Sequence, residues 1–359
     1  MVLLFMSVYG VLRPNCICQM KRDLYWDSLK FVLIFLVVYG HTIETYSPNG
    51  SINRAIYNLI YIFHMSLFIF ISGRFSQIHE RKKYKKGILR IFETYVTIQA
   101  IKIFPVALIT GDISLNTIVS FIVGPRWTLW YLLCLVYWRI IVYILPEKIL
   151  NNNPISVLMI CFLIGLISGF IPVGAEFSIQ RALAFLPFFF LGYYSMNIDI
   201  KKYVNKIPIS IAIIVILIVF LLLYFFLNMN ISFIETCRFS YWSTHHHISP
   251  ILQCLARGAL FVSAMLLGAM IMRLVPTKAS LSTWGKATLT IYVFHSFVIQ
   301  TLRSFIGYGY IPQNEYLLFI YAIAIVFCLL YLSQFKFVGI ILNPISYYRD
   351  KTTSKRSGL

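Results

Sequence analysis

Acidic residues are scarce in this chain. Asp and Glu number 12 among 359 residues, against 31 Lys and Arg. Charged residues make up 12% in all, roughly half of the 25% usual in soluble domains. That deficit excludes an ordinary soluble enzyme. A net charge of +19 would suggest nucleic acid if the cations formed one patch. They fall instead in short clusters between apolar runs, as in cytoplasmic loops of membrane proteins. The partner they imply is the lipid bilayer, and no nucleic acid is expected. There is no C-x-x-C, no H-E-x-x-H, no G-x-S-x-G and no Walker loop, so no motif points to a zinc protease, an α/β-hydrolase or a P-loop nucleotidase. The run His245–His247 lies in a loop, and adjacent histidines point apart, so no metal is assigned there. Of seven cysteines, Cys16 and Cys18 are too close for a disulfide framework. Cys134, Cys161 and Cys328 sit in apolar runs as small core residues. Cys237 and Cys254 share one loop, where a disulfide can form. The start, MVLLFMSVYGVL, has no basic segment and no cleavage site of a signal peptide. Residues 1–20 read as a disordered leader or an over-extended start ahead of Met20-Lys21-Arg22. No internal repeat is evident, and no loop is long enough to fold alone.

What the chain has in quantity is apolar sequence, 59% of it. Ten runs approach the length needed to cross about 30 Å of hydrocarbon: Leu29–Tyr46, Ala55–Ser72, Ile91–Thr110, Trp127–Leu145, Ile155–Ile171, Ile179–Ser195, Ile207–Leu227, Arg257–Val275, Leu281–Leu302 and Tyr316–Phe335. The expected fold is an all-α polytopic membrane protein, a bundle of about ten transmembrane helices. With the N-terminus inside, 23 of the 31 Lys and Arg face the cytoplasm, and five, Arg54, Arg126, Arg238, Arg257 and Arg303, fall in external loops or at their edges. The positive-inside rule therefore places both termini in the cytoplasm. Residues 21–340 form the transmembrane domain, and 341–359 a basic cytoplasmic tail.

Ionisable residues inside such runs are costly and usually mark a reaction site or a pathway. In Trp26–Glu44, Lys30 stands at one lip and His41 lies about 16 Å further along the helix. Asp27 and Lys30, three apart, share a helical face and can pair. They serve either as interfacial anchors or in function. His41 suits a general base or proton relay, because imidazole titrates near neutral pH. His64 in FHMSLFIFISG and His295 in GKATLTIYVFH are further imidazoles within spans, and Ser72 and Gly73 permit close helix approach. The cluster Arg74, Arg81, Lys82, Lys83, Lys85, Lys86, Arg90 either sets topology or holds the phosphates of an anionic cofactor. Trp127 and Trp130 in RWTLWYL form an interfacial belt or a platform for sugar rings. Arg181 opens the sixth run. Arg139 falls inside the fourth and needs a partner, for which Glu176, Asp112 and Glu235 are open choices.

The segments WDSLKFVLIFLVVYGH, FHMSLFIFISG, RWTLWYL, FLPFFFLGYY and GKATLTIYVFH, in that order, resemble membrane-bound acyltransferase family 3, and within it the fucose 4-O-acetylase-like branch. The resemblance runs from about Trp26 to the tenth run. The family's pattern of a basic residue, ten residues and a histidine falls on Lys30 and His41. Relatives often carry R-x-x-R near the third helix, where this chain has Lys85, Lys86 and Arg90. The resemblance implies an O-acetyltransferase in a bacterial inner (plasma) membrane. It would move an acetyl or similar group from acetyl-CoA or another acyl-CoA, as co-substrate and not as a permanently bound cofactor. The acceptor would be a hydroxyl of a surface or capsular polysaccharide or lipid-linked sugar. His41, Asp27 and Lys30 would form the catalytic set. Lys30, Arg74, Lys85, Lys86 and Arg90 would hold the coenzyme. His64, Trp127, Trp130, Arg181 and His295 would contact substrate or support the site. The rival reading is a transporter or glycan flippase with no acyl-transfer chemistry.

Overall fold

The structure, a computed structural model, describes residues 23–44, 50–110, 119, 123–125, 127–172, 176–226, 239–244, 248–306 and 315–348. Among these residues there is no β-strand. The principal helices are α1 (Leu24–Ile43), α2 (Ile52–Arg74), α3 (Arg81–Thr110), α4 (Trp130–Ile144), α5 (Pro154–Ile167), α6 (Ile179–Ala184), α7 (Leu186–Tyr194), α8 (Ile209–Phe225), α9 (Pro250–Leu274), α10 (Ala279–Gly285), α11 (Thr288–Ile306), α12 (Glu315–Leu332) and α13 (Lys336–Leu342). Their starts follow local sequence rules. Asp23 caps α1 by accepting from the Tyr25 N–H at 2.8 Å. Ser51 caps α2 through Arg54 N–H at 3.1 Å. Asn153-Pro154 and Ser249-Pro250 open α5 and α9 with a capping side chain followed by proline, the arrangement that suits a first helical turn.

The chain is thus an all-α polytopic membrane protein. A helix occupies each of the ten apolar runs, in one piece or two. Four helical stretches are long and apolar enough to cross a membrane: α1, α2, Trp127–Ile144 and α9. The pair α12–α13 makes a fifth if its 95° bend is taken as one broken span. α5 and α8 are apolar but shorter. The sixth run breaks between α6 and α7, and the ninth between α10 and α11. The second break has a visible cause. A Cβ on Gly285 would lie 2.0 Å from the Asp27 carbonyl oxygen, so the end of α10 is pressed directly onto the backbone of α1.

The bundle is organised around α1, which packs on α2, α10, α11 and α12. Leu29, Leu33, Ile34, Val37 and Val38 are all buried along it. The tightest crossing joins α2 to α7. A Cβ on Gly73 would meet Phe189 O at 1.9 Å, and one on Gly192 would meet Phe70 O at 1.9 Å. The small residue at position 73 therefore does what its sequence context suggested, with Gly192 as its reciprocal partner.

One end of the bundle gathers cations. Arg273 donates to Ile207 O at 2.6 Å, Lys201 to Thr277 at 3.0 Å, and the Tyr25 hydroxyl to Met272 O at 2.6 Å. Asp27 and Lys30 lie at this basic end, and His41 at the other.

Several sequence expectations need correction. Arg257 was assigned to an external loop, but α9 begins seven residues earlier and buries it fully. Its guanidinium donates to Gly165 O (2.9 Å), Ser168 Oγ (3.0 Å) and Phe239 O (3.0 Å), and lies 4.4 Å from the Tyr241 ring centre. A cation there also suits the negative end of the α5 dipole. Arg257→Met keeps the length but strands these buried acceptors, at about 1–3 kcal/mol for each group left unsatisfied. Its thermal midpoint in detergent should fall well below that of the parent, and an unchanged midpoint would refute the role. Arg139 finds an aromatic partner that the sequence did not suggest, its guanidinium 4.7 Å from the Tyr84 ring centre. Cys328 is exposed on the outside of α12, whereas Cys134 and Cys161 are buried as expected. The first part of the basic tail docks back on α3: Ser346 donates to Glu93 through its N–H (2.9 Å) and Oγ (2.6 Å), and Thr94 to Asn343 at 3.2 Å. The N-terminal leader, Cys16, Cys18, Asp112, Arg126, Glu235, Cys237 and His245–His247 lie outside the described residues.

Candidate active site

His41 occupies the last turn of α1. Its Nδ1 lies 3.1 Å from Glu44 Oε2 and 2.9 Å from the Tyr61 hydroxyl. Glu44 is three residues on, so the helix itself brings the pair together. Tyr57, Tyr61 and His64 are spaced four and three apart on α2 and share the face turned to α1. Tyr57 donates to Glu44 Oε1 at 3.4 Å and stacks on Tyr61 with ring centres 3.9 Å apart. His64 holds its own ring with Nδ1 2.7 Å from Ile60 O.

From the opposite side, α11 brings His295. Its imidazole stacks on that of His41 with centroids 5.4 Å apart. His295 is fully buried, with Nδ1 3.0 Å from Ile291 O, and its Nε2 has no hydrogen-bond partner among the described residues. Next to it, Ser296 accepts from the buried Lys102 of α3 at 2.9 Å. Lys102 thus places an amine inside the bundle, bonded to the residue next to the second imidazole.

Trp127 closes the site. Its indole lies 4.7 Å from the His41 ring and 5.7 Å from the Arg303 guanidinium. Its backbone is left-handed, with φ at 44°, which costs on the order of 1–3 kcal/mol for a bulky residue. Packing between His41 and Arg303 supports that conformation. Arg303 also donates to the His41 carbonyl at 2.6 Å, which anchors the C-terminal end of α1 to α11.

His41, Tyr61, His64 and Trp127 line a cavity of about 90 Å³. Its polar wall includes His41, Tyr61, His64, Thr128 and Tyr292, and its apolar wall includes Val37, Met65, Phe185 and Phe261. The Tyr292 hydroxyl donates to Thr128 O, tying α11 to the turn that carries Trp127. Trp130 and Arg181 complete the lining. Arg181 lies 5.3 Å from the Trp130 ring centre, and Trp130 stacks on Phe185 at 5.5 Å.

Of the residues singled out in the sequence, His41, His64, Trp127, Trp130 and Arg181 therefore meet at one cavity, with His295 directly behind. Asp27 and Lys30 do not join them. They pair with each other at 2.6 Å at the basic end, about 16 Å (Lys30) and about 21 Å (Asp27) from His41 along α1. Arg74 is a correction. It is buried, and its two terminal nitrogens donate to Ser195 O, Ser195 Oγ (3.2 Å) and Ile198 O (3.2 Å). Its guanidinium rests 4.5 Å from the Trp26 ring centre. It therefore knits α2 to the segment after α7 and does not reach out to a coenzyme. Lys85, Lys86 and Arg90 are exposed on α3.

Glu44, Tyr61, Lys102, Ser296 and Arg303 were missed as site residues. Glu44 carried a usable signal, its three-residue spacing from His41. Lys102 was visible as a charge inside an apolar run, but nothing local paired it with Ser296.

No curated protein and no solved structure matches the chain. Residues 23–333 match the model of the acyltransferase domain of family 3. That stretch runs from the cap of α1 to the end of α12 and holds every residue of the cavity, so the chain belongs to acyltransferase family 3.

Proposed function

We propose that this membrane acyltransferase moves an acetyl or similar acyl group from acyl-CoA to a hydroxyl of a surface or capsular polysaccharide or lipid-linked sugar, in the manner of the fucose 4-O-acetylase-like branch. The observation that carries the reading is the His41–Glu44–Tyr61 cluster at the wall of a cavity with aromatic sides. With Nδ1–H donated to the Glu44 carboxylate, Nε2 is the accepting nitrogen, and the carboxylate stabilises the imidazolium once it forms. The acceptor hydroxyl gives its proton to Nε2 as its oxygen attacks the thioester carbonyl. The tetrahedral adduct then collapses, the C–S bond breaks, and Nε2–H returns the proton to the departing coenzyme thiolate. Trp127 and Trp130 offer flat faces to sugar rings, and Arg181 offers donors to ring hydroxyls. The basic end would face the cytoplasm of a bacterial inner membrane, with Lys30, Lys85, Lys86 and Arg90 attracting the donor.

The test uses purified protein in nanodiscs, acetyl-CoA labelled in its acetyl group, and lipid-linked or capsular oligosaccharide. Release of coenzyme thiol that depends on acceptor, with label appearing as a base-labile ester, is the expected result. Glycan translocation without thiol release would establish the flippase reading instead.

A further inference from the structure

The His41 cavity has a polar group on its wall that the proposed proton transfer leaves unused. Thr128 lines the cavity and is 3% exposed. Its Oγ1 is buried and has no hydrogen-bond partner among the described residues. Two other hydroxyls of the wall are engaged. Tyr61 bonds His41 Nδ1 at 2.9 Å, and Tyr292 donates to the Thr128 carbonyl. Ser66 supplies one more hydroxyl, on α2, and also borders a small crevice beside Ala264 and Gly268 of α9.

The backbone that carries Thr128 is fixed on both sides. Trp127, just before it, is left-handed at φ 44°, with its indole 4.7 Å from the His41 ring. Leu129, just after it, is fully buried. The Thr128 carbonyl is tied to α11 through Tyr292. Backbone held in a rare conformation is typical of active sites, where a side chain must be aimed. A buried hydroxyl without a partner is itself destabilising. Both features make sense if the hydroxyl meets a polar atom that is present only during the reaction. Acyl transfer generates such an atom. As the acceptor oxygen bonds to the thioester carbon, the carbonyl π pair moves onto its oxygen and negative charge develops there. Fixed donors aimed at that oxygen are usually the largest single contribution to such a reaction. His41 cannot supply one at that moment, because its Nδ1–H is given to Glu44 and its Nε2 receives the proton.

We propose that Thr128 is a catalytic residue of this acyltransferase, its Oγ1–H donating to the oxyanion of the tetrahedral adduct. The assignment rests on the His41-based transfer proposed above. The acceptor hydroxyl loses its proton to His41 Nε2 while the new C–O bond forms, and the oxyanion accepts a hydrogen bond from Thr128 without taking its proton. When the adduct collapses, the carbonyl re-forms, the C–S bond breaks and the thiolate takes the proton from His41. Thr128 ends the cycle as it began. The imidazole of α1 moves the proton, and the hydroxyl just ahead of α4 holds the charge.

The experiment compares full-length parent, Thr128→Val, Thr128→Ser and Ser66→Ala proteins in nanodiscs. Acceptor-dependent thiol release is measured over a range of donor and acceptor concentrations. Loss of one oxyanion donor costs about 10²–10³ in kcat, so Thr128→Val should fall by that factor with both KM values little changed. Thr128→Ser keeps the hydroxyl and should retain most of the rate. Valine has nearly the shape of threonine and strands no partner, so the thermal midpoint of Thr128→Val should equal or exceed that of the parent. Parental kcat in Thr128→Val overturns the proposal, all the more if Ser66→Ala takes the loss instead. A serine variant as slow as the valine variant also overturns it. So does a lowered midpoint in Thr128→Val, which would make the hydroxyl structural. So does a loss confined to the KM for acceptor, which would make it a sugar contact. A parent that releases no thiol removes the acyl-transfer reading and this proposal with it, whereas an active parent beside an equally active Thr128→Val removes this proposal alone.

Discussion

His41→Ala protein should insert and fold normally yet transfer acyl groups about 10²–10⁴ times more slowly than the parent, the usual contribution of a positioned general base. Folding should survive because the His41 side chain is 12% exposed at a cavity wall, and the bond from Arg303 that ties α1 to α11 is made to the backbone carbonyl, which alanine keeps. The measurement is acceptor-dependent thiol release at saturating donor. A rate equal to that of the parent would remove His41 from the chemistry. Glu44→Gln sharpens the test. The amide can still hold the ring, but it no longer offsets the charge of the imidazolium. The expected result is a smaller loss in kcat than for His41→Ala, with the KM for acceptor little changed. Glu44→Gln activity that matches the parent at every pH would leave the carboxylate with a packing role alone.

The largest effect on stability is expected at the α2–α7 crossing. In Gly73→Ala or Gly192→Ala, the new methyl would have to occupy space 1.9 Å from a backbone oxygen. Backbone carbonyls within helices cannot swing aside as a flexible side chain can, so the two helices must separate. Overpacking in a close-packed interior costs typically 1–3 kcal/mol and sometimes more, and these sites belong at or above the upper figure. Separation would also strain the Arg74 bonds to Ser195 and Ile198 one turn away. Gly339→Ala is the control, because nothing lies within 4 Å of a Cβ there. Thermal midpoints in detergent should fall sharply for the first two variants and hold for the third. Equal midpoints for all three would show that the crossing tolerates a wider spacing.

Much of the architecture is legible in the sequence because apolar run length and the hydrogen-bonding demand of lipid leave helices as the natural solution. The position of His41 is legible for a related reason, since an ionisable residue in such a run stands out. The failures share a different cause. The run boundary left Arg257 at a loop edge and the family resemblance offered Arg74 to a coenzyme, yet both are buried, with terminal nitrogens donating to backbone carbonyls of distant segments. Run length alone could not locate the break at Gly285, which is set by contact with α1, or the 95° turn after α12. Within the site, Glu44 is local to His41, but Tyr61, Lys102, Ser296 and Arg303 reach it only through tertiary packing. Asp27 and Lys30 illustrate the converse: neighbours of His41 in the run, they lie at the far end of the same helix.

The bond from Arg303 to the His41 carbonyl spans 262 residues. At a synthesis rate of about 5–20 residues per second, roughly 13 to 50 seconds separate emergence of the first helix from that of its last clamp. During this interval α1, with Asp27, Lys30, His41 and Glu44, must reside in or beside the translocation machinery without α10, α11 or α12 to cover it. The segment that carries His41 is therefore the one longest exposed to membrane proteases and insertion chaperones. Slowed translation of the last third of the chain should lower the yield of this enzyme through loss of α1 before any other helix.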